Sequence, residues 1–145
     1  MTVDSLDLEV IEKTLEETLK SSGFWAVEEY TDFESRKTED CLAVWSVNGI
    51  GLEEAGRCVS IGTAVVRAEI GFKILLMGRC GRFDDRAEFN DRCFEVCSQL
   101  ACERKLGRVS LELGECRADM HQKRLVRELR AVFKVYMKEE ADGGD

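Results

Sequence analysis

From Val65 to Met77, apolar and polar residues alternate for longer than most short strands allow. Val66, Ala68, Ile70, Phe72, Ile74 and Leu76 fall on one face, and Arg67, Glu69 and Lys73 on the other. That period of two fits a strand and no helix. Leu125 to Met137 repeats it, setting Leu129, Ala131, Phe133, Val135 and Met137 against Arg130 and Lys134. Val109, Leu111 and Leu113 alternate over a shorter run opened by Gly107, and a polar connection at Asp119–Lys123 predicts an antiparallel hairpin with the last strand. Cys41 to Val47 reads as a strand, and Val27 to Thr31 as a short edge strand. Asn48-Gly49-Ile50-Gly51 reads as a turn, continued by a loop through Glu53–Gly56.

Two stretches carry helical spacing instead. Leu8, Ile11, Leu15 and Leu19 form one stripe, on a helix that Asp4 or Ser5 caps and Ser21-Ser22-Gly23 ends. Phe89, Cys93, Val96, Cys97 and Leu100 form the other, begun by Asp84 or Asp85, with Asp85 and Glu88 at capping-box spacing. The order is helix, two or three strands, helix, two strands. It predicts an α+β fold: a mainly antiparallel sheet of four or five strands with both helices packed on one face. Residues 1–138 are expected to form a single domain, and 139–145 a flexible acidic tail.

With 145 residues, the chain is long enough to bury a core without cross-links. No apolar run approaches the ~20 residues of a membrane span. The N-terminus is acidic and amphipathic, unlike a secretory or transit peptide. Net charge is −8. Residues 1–40 hold twelve acids and four bases, so the remainder, with seventeen of each, is neutral. A local reversal follows at His121–Lys138, where Lys123, Arg124, Arg127, Arg130, Lys134 and Lys138 face only Glu128. The overall acidic balance argues against nucleic-acid binding, which depends on neutralising phosphates.

Candidate chemistry changes this picture little. Cys41, Cys58, Cys80, Cys93, Cys97, Cys102 and Cys116 form no CxxC pair, and with a single histidine, His121, they read as small hydrophobes in a reducing compartment. Gly49, Gly51 and Gly56 lack the spacing of a phosphate loop, and Glu53 and Glu54 would repel a phosphate. Asp84 and Asp85 are read as caps rather than paired catalytic acids. Cys116 and His121 lie close in sequence, yet nothing near them orients a base. The expectation is of no catalytic residue, no cofactor and no bound metal. Trp45 alternates inward, towards the core. Trp25 and Phe33 fall in a polar stretch, where they read either as interface anchors or as a satellite cluster packed under that loop. With Arg124, Arg127, Arg130 and Lys134 they are the candidate interface. An acidic N-terminal segment and a basic last strand predict contacts between unlike surfaces of two copies.

The long strand, its break at Leu76-Met77-Gly78-Arg79, the FDDRAEF helix start, and the hairpin from Gly114-Glu115-Cys116-Arg117 to Arg124-Leu125-Val126 together resemble small tail-completion proteins of tailed bacteriophages and prophages, with tail terminators the nearest group. The likeness spans residues 58–138 best. It implies a structural protein that forms rings, docks to the tail tube or head–tail connector, resides in the bacterial cytoplasm during assembly and in the virion afterwards, and binds neither membrane nor specific nucleic acid. A second class, acidic dimeric secretion chaperones, runs helix, three strands, helix, two strands, and usually ends in a further helix where this pattern ends in a strand.

Overall fold

The computed structural model describes residues 5–28, 41–58, 63–103, 108–121 and 123–140. Helix α1 (Ser5–Ser21) leads into strands β1 (Trp25–Glu28), β2 (Leu42–Cys58) and β3 (Thr63–Arg79). Helix α2 (Asp85–Cys102) is followed by β4 (Arg108–Leu113), β5 (Arg117–Asp119) and β6 (Arg124–Glu140). The fold is α+β. Among the described residues its sheet has six strands, not four or five, in the order β1-β2-β3-β6-β4, with β5 also pairing β6. Every pairing is antiparallel except that of β1 with β2.

The extra strand is β5, three residues too short to show a period in the sequence. It pairs Arg117, Ala118 and Asp119 with Val126, Leu125 and Arg124, inside what reads as the start of a polar connection. A larger correction concerns the glycines. The supposed turn at Asn48–Gly51 and the loop after it belong to one continuous 17-residue strand, β2. Its register against β3 shifts between Val47 and Gly49 and again between Glu54 and Gly56. Glycines beside irregularities of this kind mark β-bulges as readily as turns.

The alternation of β3 and β6 holds in register. Ile70, Phe72 and Ile74 pair with Phe133, Ala131 and Leu129, and all six are buried. Trp45 on β2 is also buried; its ring meets Phe72 edge-on at 5.9 Å, and Phe72 meets Phe133 at 5.5 Å. Ile11, Leu15 and Leu19 of α1 and Phe89, Cys93, Val96 and Leu100 of α2 join the same core, so both stripes cover this one face. Helix α1 stops as its sequence dictates. Gly23 takes a left-handed φ of 92°, Phe24 N–H donates to the Leu19 carbonyl, and Gly23 N–H to that of Lys20. Thr14 and Thr18 are buried on the flank of the stripe, and their hydroxyls donate to the Val10 and Thr14 carbonyls.

The start of α2 differs from the capping box expected of it. Asp84 is the N-cap but makes no side-chain cap hydrogen bond. Asp85 is buried and turns back, its Oδ2 accepting from Arg82 N–H at 2.6 Å. Gly78 lies under Phe89 so closely that a Cβ there would overlap the ring.

Helices and strands differ in reach. Helices of 17 and 18 residues span about 26 Å, whereas strands of 17 residues span about 56 Å. Beyond Ala68, β3 continues through residues 63–67, still paired on both sides with β2 and β6 as far as Thr63.

Candidate interaction surface

The last strand does not present a single basic stripe. Arg124, Arg130 and Lys134 share the face away from the helices, while Arg127 shares the helix-facing parity of Leu125 and Leu129. On the outer face the cations meet acids delivered by neighbouring strands. Glu128 pairs with Arg130 at 3.2 Å and with Lys73 at 3.5 Å, and Glu69 with Lys134 at 3.9 Å. Glu112 of β4 lies opposite Arg130. Over β3, β6 and β4 the outer face therefore carries a ladder of mixed sign, and exposed pairs of this kind contribute little to stability.

Arg127 is committed inside the molecule. Its Nε donates to the Gly114 carbonyl at 2.8 Å, its Nη1 donates to Asn90 Oδ1 at 3.0 Å, and its guanidinium lies 5.6 Å from the centroid of the Phe94 ring. It ties β6 to the end of β4 and to α2. Trp25 lies at the far edge of the sheet, opposite Leu42 on the outer face, and is 40% exposed. Phe33 lies outside the described residues. Of the six candidates, Trp25, Arg124, Arg130 and Lys134 thus share the outer face, Trp25 at its far edge, while Arg127 lies on the helix-facing side.

A different cluster emerges at the end where β3 stops and β6 begins. Arg79 pairs with Arg124, and Arg124 with Asp119, in one row across three strands. The segments Arg79–Arg86 and Arg117–Arg124 carry Arg79, Arg82, Arg86, Arg117, Lys123 and Arg124 against Asp84, Asp85 and Asp119. Two of those acids serve backbone groups: Asp85 accepts from Arg82 N–H, and Asp119 Oδ1 accepts from His121 N–H. Phe83 is fully exposed in the first segment, and Met120, 74% exposed, in the second. Neither belongs to a periodic apolar pattern in the sequence. The available signal was a large apolar side chain set in a turn of Gly, Arg and Asp, where no core can receive it.

The opposite sign gathers on α1 and β1. Burial first, then the carboxylates of Glu28, Glu9 and Glu16, push the Glu12 carboxyl above its ordinary range. β1 is the outermost strand on its side, so this acidic flank lies along a sheet edge; β1 starts in the row of Met77 and Val126, close to the β3–β6 end, and Glu28 lies three residues further from it, in the row of Ile74.

A cavity of about 70 Å³ between the end of β3 and α2 is lined by Cys41, Arg79, Asp85, Glu88 and Arg92, where Arg92 Nη1 donates to Cys41 Sγ at 3.2 Å and to the Gly23 carbonyl at 3.2 Å. An open groove of about 420 Å³ between the helices is lined by Thr14, Glu17, Thr18, Ser21, Gln99, Cys102 and Glu103. Ser21 Oγ spans it, donating to Gln99 Oε1 at 2.6 Å. Among the described residues, Cys93 is buried, Cys41, Cys80, Cys97 and Cys116 are half-buried against the core, and Cys102 is exposed. Burial pushes the Cys93 thiol up to about 12, and Arg127 acts in the opposite direction. Among the described residues no group of three or more His, Cys, Asp or Glu is placed to hold a metal ion. Among them also, no helix is long and apolar enough to cross a membrane. No family model matches the chain, and no curated protein matches it.

Proposed function

We propose that this is a non-enzymatic assembly protein of the tail-completion or tail-terminator type, which docks copies of itself and seats on a tail-tube or head–tail connector protein. It would do this in the bacterial cytoplasm and remain in the virion. One observation carries the reading: the three long strands outrun the helix layer. Val47 and Ile50 lie on the helix-facing side of β2, yet they are 37% and 50% exposed. β1 pairs β2 only as far as Trp45, and β4 pairs β6 only as far as Lys134. Among the described residues, β2 beyond Trp45 and β6 beyond Lys134 therefore pair on one side only. Partly uncovered sheet with one-sided edges is a surface other chains can join.

A second reading is the dimeric secretion-chaperone class. It is favoured by β1, which makes three strands between the helices. Multi-angle light scattering separates the two. The tail-protein reading predicts a ring-sized species that dissociates as salt rises. The chaperone reading predicts a dimer that persists. A monomer at every concentration and salt contradicts both.

A further inference from the structure

We infer that the arginine-rich end carrying Phe83 and Met120 docks on the acidic α1–β1 flank of a second copy, a head-to-tail contact. This rests on the assembly reading above and names the two surfaces that it uses.

Three features of the basic end point to a protein partner of opposite charge. Arg82, Arg86, Arg117 and Lys123 are exposed. Cations outnumber acids in the two segments, six to three. Phe83 and Met120 present bare apolar surface between the cations. Aromatic, Met and Arg side chains together are the composition of an interface centre, where the apolar groups exclude water and the arginines find acids.

The acidic flank is its complement in the same chain. Glu9, Glu12 and Glu16 follow one another along α1, and Glu28 approaches from β1 closely enough to be felt at Glu12. Like charges held this way repel one another, and the arrival of guanidinium groups relieves that repulsion. Within one molecule the two surfaces lie apart: Glu28 stands in the row of Trp45, Ile74 and Leu129, and the Arg79–Arg124 row is five residues further along β3. The contact joins unlike surfaces, so each copy keeps one of each kind free for another neighbour, and the geometry extends to a chain or closes into a ring.

Charge-swapped variants of the full chain test this. Arg82→Glu with Arg86→Glu reverses the basic end, and Glu9→Lys with Glu16→Lys reverses the acidic flank. Each double variant is expected to sediment as a monomer under conditions where the unaltered protein assembles, with an unchanged far-ultraviolet circular dichroism spectrum. Mixing the two at equal concentration is expected to restore the assembly, because the reversed surfaces match. Phe83→Ala with Met120→Ala is expected to weaken self-association roughly tenfold or more. If the unaltered protein assembles but either charge variant does so equally well, or the mixture stays monomeric, this docking is wrong and the assembly reading stands. If the unaltered protein never assembles, both fall. Capture of polyglutamate by such a monomer, lost in the Arg82→Glu, Arg86→Glu variant, would assign the basic end to a foreign acidic partner instead.

Discussion

Arg127 shows how one residue acquires a role that its own neighbourhood in the chain does not reveal. Parity places it on the apolar face of β6, but its partners Gly114 and Asn90 are 13 and 37 residues away. Reading by charge alone made it an interface candidate. Arg127→Ala is expected to lower the stability of the isolated monomer by about 2 kcal/mol in urea denaturation, with Arg127→Lys recovering little, since an ammonium cannot reproduce the two-pronged donation. A pure interface residue would leave monomer stability unchanged. Gly78→Ala is expected to cost about 2 kcal/mol or more, because the new methyl group meets the Phe89 ring. Cys93 gives a pH signature. Its thiol is neutral in both states at pH 7; above pH 9 the unfolded thiol ionises, while the folded one stays protonated to about 12. Stability contributed by that difference is lost as pH rises through this window, and Cys93→Ala should flatten the alkaline slope of stability. At pH 8, iodoacetamide should modify exposed Cys102 well before Cys93.

At the scale of elements, the strong periods were legible and the punctuation was not. The stripes of α1 and α2 and the alternation of β3 and β6 read directly because each buries one face. Glycine misled, since it signals a turn and a bulge alike, and only the register against β3 separates the two. Gly49 and Gly51 sit in extended β2 with nothing within 4 Å of an added Cβ. Gly49→Thr or Gly51→Thr is therefore expected to add about 0.5–1 kcal/mol of stability, read as a slightly higher melting temperature. Turn glycines would respond with a loss. The mixed ladder on the outer face was equally hidden. Lys73, Glu69 and Glu112 come from other strands, so the basic bias of the last strand disappears only once the sheet is assembled.

For the whole molecule, the acidic first segment was legible as a count of charges, and the acidic flank on α1 and β1 is where part of it resides. The basic end was not legible as a site, because it joins two segments more than thirty residues apart through the β3–β6–β5 row. The account stands on attraction between these two ends in neighbouring copies. Sedimentation velocity of the unaltered protein, over a range of concentrations at low and then high salt, measures that attraction most directly. The account predicts a large species at low salt that falls to monomer as salt is added. Monomer throughout, or an oligomer indifferent to salt, would contradict it.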